Sequence, residues 1–133
     1  MSIIIDSNII LDILTEDKHW FDWSSDQLLK YSEENDLIIN QIIYSEISIR
    51  FSNIEELDQV ISEANLKFES LPLEASFLAG KCFMQYKKNS GTKLSTLPDF
   101  YIGAHAAITR RPLLTRDNKK YSTYFSNLEI ISP

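Results

Sequence analysis

The feature that most constrains the fold is the opening segment, Ile3-Ile4-Ile5-Asp6-Ser7-Asn8, in which three β-branched apolar residues run directly into an acid. No polar residue alternates with the isoleucines, so the run predicts a strand buried on both faces, as in a parallel sheet. Ser7 or Asn8 is a candidate helix N-cap for the apolar, helically spaced residues that follow. Asp6 either caps this turn or lies in a site, because open α/β sheets bind ligands where strands end and helices begin.

Predicted strands and helices alternate along the rest of the chain. Further strands are predicted at 37–39, 66–71, 113–115 and 128–131. Helices are predicted at 25–34, 41–50, 53–63, 72–88 and from Leu97 to Pro112, with a loop at 89–92. This alternation, without a linker, predicts one three-layer α/β/α domain over residues 1–133 with a mostly parallel sheet of four to five strands.

Composition restricts the class of protein. A hydrophobic content of 44% is enough for a core and excludes a disordered chain. A single cysteine excludes an internal disulfide, and the N-terminus lacks the basic segment of a signal peptide. No apolar run reaches the roughly 20 residues that a membrane helix needs. We therefore expect a cytoplasmic protein that does not associate with membranes.

The net charge of −6 is unevenly distributed, which bears on nucleic-acid binding. Residues 1–66 contain 3 basic and 14 acidic side chains, whereas residues 67–133 contain 10 basic and 5 acidic ones. Such asymmetry is consistent with a molecule that has one acidic and one basic face. Ordinary solvated helix faces would give the same counts, so the charge pattern alone leaves a nucleic-acid partner open.

Four acids occupy special positions. Asp6 ends the first strand, Glu46 interrupts the apolar stripe of a helix, and Asp99 lies in the first turn of another helix. Asp117 follows the fourth predicted strand. Taken singly, Asp99 would only oppose a helix dipole and Asp117 would only serve a turn. Glu46 is harder to explain in this way, because a carboxylate on an apolar stripe is unfavourable unless something pairs with it.

The predicted topology brings these acids together, because strand C-termini and helix N-termini share one edge of a parallel sheet. Carboxylates in one pocket repel and raise one another's pKa values, and a divalent cation relieves that repulsion. An oxygen-only ligand set suits Mg²⁺ or Mn²⁺ rather than zinc. Phosphoester hydrolysis is the usual chemistry of such a site.

Short motifs around the four acids support this interpretation. They are Ile-Ile-Asp-Ser-Asn-Ile-Ile-Leu-Asp at 4–12, Ile-Ile-Tyr-Ser-Glu-Ile-Ser at 42–48, Leu-Pro-Asp-Phe-Tyr-Ile-Gly-Ala at 97–104 and Leu-Leu-Thr-Arg-Asp at 113–117. With the closing Leu-Glu-Ile-Ile-Ser-Pro, they make the chain resemble, over essentially its full length, a PIN-domain ribonuclease and more narrowly a VapC-type toxin of a toxin–antitoxin pair.

The resemblance implies a metal-dependent endoribonuclease that hydrolyses RNA with activated water and leaves 5′-phosphate and 3′-hydroxyl ends. The family's metal-site and catalytic acids correspond to Asp6, Glu46, Asp99 and Asp117, with Asn8 and Thr115 as supporting residues. Mg²⁺ or Mn²⁺ is the implied cofactor. The implied partners are a second copy of the chain and a VapB-like antitoxin whose tail occupies the acidic crevice.

Three cations and one histidine complete the predictions. Arg116, Lys119 and Lys120 follow the fourth strand and are either RNA-phosphate contacts or ordinary surface cations. His105 lies six residues beyond Asp99 and is expected to be a packing or partly exposed residue, with general-base catalysis as the lesser alternative.

Two other classes of function compete with the nuclease. A receiver-like signalling domain also carries an acid after its first strand, but it needs a phosphorylatable Asp after the third strand. Here the third predicted strand runs into Pro72 with no such acid. A non-catalytic PIN-like module for binding metal or protein would keep the fold without the chemistry, and the presence of all four acids argues against it.

Overall fold

Five parallel strands form one sheet in the order β3-β2-β1-β4-β5. The protein is described by a computed structural model covering residues 1–89 and 96–133, so only Asn89 of the loop predicted at 89–92 lies within the described residues. The strands are β1 (Ser2–Ile5), β2 (Asp36–Ile39), β3 (Leu66–Phe68), β4 (Leu113–Leu114) and β5 (Ile130–Ile131). This sheet confirms the predicted parallel α/β class. Its order differs from the 2-1-3-4-5 order of receiver domains, which removes that alternative.

Helices connect the strands and complete the three-layer α/β/α arrangement. In the described residues they are α1 (Ser7–Leu14), α2 (Phe21–Ser32), α3 (Gln41–Ser48), α4 (Ile54–Glu63), α5 (Leu73–Lys88), α6 (Leu97–Thr109) and α7 (Asn118–Ser122). Within that part of the chain, no helix is both long enough and apolar enough to cross a membrane.

The isoleucine run has the predicted environment. Ile3, Ile4 and Ile5 are buried in β1, which pairs with β2 on one side and with β4 on the other. Position 6 is therefore at the centre of the sheet. Because all strands are parallel, the residues that follow β1, β2, β3 and β4 lie along one edge. These residues are Asp6, Asn40, Glu69 and Thr115.

Several predicted boundaries differ from the observed ones, and two of the differences have identifiable reasons. The third strand ends at Phe68 rather than at residue 71, because Phe68 pairs with Ile39, the last residue of β2, and no partner strand continues beyond it. Helix α2 begins at Phe21 rather than at residue 25, because the Asp17 carboxylate accepts the N–H groups of His19 and Trp20 and turns the chain into the helix.

The inward face predicted for α5 is wrong in part. The apolar pattern predicts that Leu73, Phe77, Leu78, Phe83 and Met84 face the core, but Leu73, Phe77 and Met84 are 83%, 70% and 45% exposed. Ala75 and Ala79 are the buried residues of this helix. The helix therefore packs through these two alanines together with the partly buried Leu78 and Phe83, which face inward as predicted.

Helix α6 packs equally closely, and Gly103 is its tightest point. A Cβ atom built at Gly103 would lie 2.4 Å from Cε2 of Phe125, a ring that is itself buried. Gly80 on α5 has no atom within 4 Å of such a Cβ. Packing therefore requires glycine at position 103 but not at position 80.

We expect Gly103→Ala to destabilise the fold by about 1–3 kcal/mol, because the added methyl group overpacks against Phe125. Gly80→Ala should instead stabilise it by roughly 0.5–1 kcal/mol through higher helix propensity. Urea unfolding of both variants measures the difference. Equal effects in the same direction would contradict this account of packing.

Candidate functional site

Asp6 is the most buried of the four predicted acids, with 3% of its surface exposed. It occupies the N-cap position of α1, but its side chain makes no capping hydrogen bond. Its Oδ2 atom instead accepts hydrogen bonds of 2.8 Å from Thr115 Oγ1 and 2.8 Å from Tyr121 OH. The carboxylate is thus held by residues more than a hundred positions away, rather than by its own turn.

The two oxygens of Asp6 have different surroundings. Oδ2 accepts the two short bonds and a longer one of 3.4 Å from Asn8 Nδ2. Among residues 1–89 and 96–133, Oδ1 has only a 3.4 Å contact, from Ser7 Oγ. The hydrogen bonds therefore fix the orientation of the carboxylate through one oxygen and leave the other with unused acceptor capacity.

Thr115 is itself oriented by its neighbours. Its Oγ1 accepts a bond of 3.2 Å from Asn8 Nδ2 and one of 3.1 Å from the backbone N–H of Asp117. With both acceptor positions used, the hydroxyl proton is directed at Asp6. Thr115 follows β4 and Asp6 follows β1, the point at which the strand order reverses, so this bond spans the topological switch point of the sheet.

Glu46 reaches the same place from α3. Ser7 Oγ donates to Glu46 Oε1 at 2.8 Å, so Ser7 lies between the carboxylates of Asp6 and Glu46. Helix α3 is positioned by Asn40, whose side chain caps the helix by accepting the N–H of Ile43 at 3.0 Å. Ile43 and Ile47 are the buried residues of the helix, and Glu46, three residues after Ile43, remains half-buried at the crevice.

His105 connects α3 to α6 through a buried network. Asn40 Nδ2 lies 2.8 Å from His105 Nδ1, and His105 Nε2 lies 2.8 Å from Glu69 Oε2. Arg111 also donates to Glu69. Asn40 uses its oxygen for the helix cap, so its nitrogen must donate to Nδ1, and His105 must carry its proton on Nε2. His105 is fully buried, not partly exposed.

Asp99 presents one oxygen to the crevice. Its Oδ2 accepts the backbone N–H of Thr96 at 2.8 Å and the Thr96 hydroxyl at 3.1 Å, forming a capping box at the start of α6. Its Oδ1 lies 3.9 Å from Lys120 Nζ. The capping role and the site role therefore coexist in this residue, because they use different oxygens.

Asp117 is partly open to solvent, with 42% of its side chain exposed. It precedes the short helix α7, and its Oδ2 lies 3.7 Å from Lys120 Nζ. Lys120 therefore lies between Asp99 and Asp117, whereas Lys119 is exposed. The third predicted cation, Arg116, is turned away from these acids. Its Nε donates to Asp12 Oδ2 at 2.9 Å, and its guanidinium lies over the Trp20 ring.

Burial and the negative charges of neighbouring acids shift the pKa values of the site residues. Burial raises the pKa of Asp6, the bonds from Tyr121 and Thr115 lower it, and the Asp99 charge raises it again. Burial likewise raises the pKa of Glu46, and the charges of Asp6 and Asp99 add to the effect against the Ser7 hydrogen bond. Burial, and then the negative charges of Asp6 and Asp99, raise the pKa of Tyr121 well above its usual value, so its hydroxyl remains a donor.

The donor chemistry of this crevice fits a hard divalent cation. The pKa values of Asp6 and Glu46 are raised by burial and then by neighbouring acids, and a divalent cation with carboxylate ligands would relieve that repulsion. Within residues 1–89 and 96–133, however, no three His, Cys, Asp or Glu side chains are close enough to form a metal-ion cage. A bound ion would thus require the carboxylates to draw closer than they are here.

Four residues of the site were missed from the sequence. Tyr121 resembles an ordinary core aromatic, and Asn40 an ordinary helix cap. Ser7 is predicted from the sequence only as a possible helix cap. Asp12 is buried and accepts a hydrogen bond of 2.7 Å from Ser24, and the sequence pattern does not indicate either feature. Position after a predicted strand would have identified Asn40, but no local pattern distinguishes Tyr121 from the neighbouring Tyr124.

Comparisons with known proteins support the fold described above. A family model for the PIN domain matches residues 3–126. No curated protein sequence matches the chain. The structure resembles VapBC2 from Rickettsia felis, solved with a promoter DNA fragment, at a TM-score of 0.76 and 17% identity, covering 100% of this chain and 99% of that one.

Two further solved structures are similar over nearly their full length. VapBC-1 from nontypeable Haemophilus influenzae has a TM-score of 0.73 and 18% identity, covering 99% of this chain and 98% of that one. A toxin–antitoxin complex from Klebsiella pneumoniae has a TM-score of 0.70 and 18% identity, covering 98% and 96%. At such identities the likeness establishes a shared fold.

Tyr121→Phe tests how Asp6 is held. Loss of the phenolic donor leaves a buried carboxylate short of one charge-assisted hydrogen bond, and we expect the free energy of unfolding to fall by about 1.5–3 kcal/mol at pH 7. Urea denaturation measures the loss. The matched control is Tyr124→Phe, which removes a hydroxyl from a ring that packs on Phe100. Equal stability of the two variants would contradict the role given to Tyr121.

His105 predicts a dependence of stability on pH. Burial lowers the pKa of His105 below its ordinary value, although Glu69 opposes the shift. Below about pH 6.5 the unfolded chain therefore binds a proton that the folded protein does not, and stability falls with decreasing pH until the folded-state pKa is reached. Protonation would also break the bond from Asn40, because both ring nitrogens would then be donors.

The measurement compares the wild type with His105→Gln, which cannot titrate. Between pH 7.5 and 5 we expect the wild type to lose more unfolding free energy than the variant, by up to about 1.4 kcal/mol per pH unit. The difference between the two proteins cancels the contributions of the carboxylates that do not contact His105, which leaves Glu69, the carboxylate bonded to this side chain. Parallel pH profiles would show that His105 does not titrate in this way.

Proposed function

Because the chain belongs to the PIN-domain family, we propose that it is a metal-dependent endoribonuclease and the toxin of a VapBC-type toxin–antitoxin pair. The observation that supports this most directly is the state of Asp6. This buried carboxylate accepts hydrogen bonds from two hydroxyl groups on one oxygen, and its second oxygen has a single long contact. The second oxygen therefore has acceptor capacity for a cation.

Asp6, Glu46 and Asp99 are the residues proposed to hold the cation, with Asp117 as a fourth, more exposed acid. When bound, Mg²⁺ or Mn²⁺ supplies Lewis-acid chemistry, which favours deprotonation of water and neutralises charge on a phosphate. Each proposed ligand offers carboxylate oxygen, the donor that both ions prefer.

The remaining residues of the site act on these ligands. Thr115 and Tyr121 keep Asp6 in one orientation, and Asn8 supports Thr115. Ser7 keeps Glu46 beside Asp6. Such fixed orientation matters for hydrolysis because a phosphodiester must be attacked in line, with the nucleophile and the leaving oxygen on opposite sides of phosphorus.

RNA is the proposed substrate, with Arg116, Lys119 and Lys120 as candidate phosphate contacts. Lys119 is exposed and available for such a contact. Arg116 is 32% exposed while it pairs with the buried Asp12, so it would contact a phosphate only through the part of its guanidinium not engaged there.

The proposed protein partners are a second copy of the chain and a VapB-like antitoxin. The similar structures from Rickettsia felis and Haemophilus influenzae are described as VapBC assemblies, which supports an antitoxin partner here. A crevice with several carboxylates would attract an arginine from such a partner, since guanidinium–carboxylate pairs are strong and directional.

Asp6→Asn tests the catalytic proposal. The amide oxygen can still accept from Thr115 and Tyr121, so the fold should be retained while the charge that binds the cation is lost. We expect Mn²⁺-dependent cleavage of a single-stranded RNA to fall at least about 100-fold. Gel electrophoresis of end-labelled RNA measures the rate, and thermal unfolding verifies the fold.

The control is Asp22→Asn, which removes an exposed acid from the first turn of α2. It should leave the cleavage rate within a factor of about two. Undiminished cleavage by a folded Asp6→Asn protein would overturn the catalytic role, and a wild-type protein with no metal-dependent cleavage would favour a non-catalytic binding module.

A further inference from the structure

The ammonium group of Lys120 lies within the acidic crevice, at a position where a cation would be expected. Its Nζ is 3.9 Å from Asp99 Oδ1 and 3.7 Å from Asp117 Oδ2. Its charge also acts on the carboxylates of Asp6 and Glu46. One side chain therefore interacts with all four acids.

Helix α7 determines this placement. Asp117 immediately precedes the helix, and Lys120 lies within it, three residues after Asp117. This i, i+3 spacing places the two side chains on the same side. Tyr121, the next residue, is fully buried and bonded to Asp6. Because Tyr121 anchors the helix against the site, Lys120 is held at the crevice while Lys119 remains exposed.

Lys120 competes with a metal ion for one particular atom. Asp99 Oδ2 is already used twice by Thr96, which leaves Oδ1 as the oxygen available to a ligand. That oxygen is the one closest to Lys120. A divalent ion between Asp99 and Asp117 would have to share both acids with a fixed positive charge, and like charges at such distances repel.

We propose that Lys120 is a positioning residue that takes the place of a second metal ion between Asp99 and Asp117, so that the site binds one divalent cation. Asp6, Glu46 and Asp99 would hold the single ion, and the charge of Lys120 would keep a second ion from the space between Asp99 and Asp117. This inference rests on the proposed metal-dependent function and specifies its stoichiometry.

The test counts bound Mn²⁺ in the absence of RNA, by isothermal titration calorimetry and by electron paramagnetic resonance of the free ion. The full-length wild type is compared with Lys120→Gln, which removes the charge at similar length. Lys120→Arg keeps the charge, and Lys119→Gln removes a neighbouring exposed charge. Thermal unfolding of each variant verifies that it is folded.

We expect one Mn²⁺ per chain for the wild type, Lys119→Gln and Lys120→Arg, and two for Lys120→Gln. Two ions on the wild type, or one ion on a folded Lys120→Gln protein, would overturn the inference while leaving a metal-dependent nuclease intact. Absence of Mn²⁺ binding by every variant would overturn the proposed metal site, and this inference with it. Should Lys120→Gln not fold, the wild-type count against Lys120→Arg still decides, because two ions on either protein contradict the proposal.

Discussion

The site depends on a buried carboxylate that is stabilised from the far end of the chain. Ionised Asp6 at the centre of the sheet would be strongly unfavourable without hydrogen-bond donors, and Thr115 and Tyr121 supply them at 2.8 Å each. These contacts join β1 to the segment that follows β4. The residue that most needs compensation therefore also links the two halves of the sheet at its topological switch point.

A second polar network organises the other side of the same edge. Asn40 caps the helix that carries Glu46 and donates to His105, which lies on the helix that carries Asp99. The His105 proton then reaches Glu69, which also accepts from Arg111; these bonds lower the pKa of Glu69 although burial opposes the shift. Hydrogen bonds among Asn40, His105 and Glu69 thus fix the positions of the two helices that carry Glu46 and Asp99 relative to each other. Rigid support of this kind is what a metal or catalytic site requires.

Much of the architecture was predictable because its causes are local. The continuous isoleucines of β1 required a strand buried on both faces, and the alternation of strands with helices required parallel pairing. Predictions failed where packing against other elements, rather than the local pattern, determines which residues are buried. On α5, the tertiary structure buries Ala75 and Ala79 and packs Leu78 and Phe83 against the core, whereas Leu73, Phe77 and Met84 of the same apolar pattern are exposed. Short α7 had no periodicity to reveal it.

The sequence by itself determined the fold class and the place of Asp6 at the end of a buried strand, and it predicted the four acids as a set, since each follows from residue type and place relative to a strand or helix. Only the tertiary structure decided which oxygen of Asp6 is held, that Tyr121 holds it, and that Lys120 faces the acids while Arg116 pairs with Asp12. The physical reason is that hydrogen bonds and ion pairs depend on distances of a few ångströms between residues remote in the chain. Periodicity and composition carry no information about such distances.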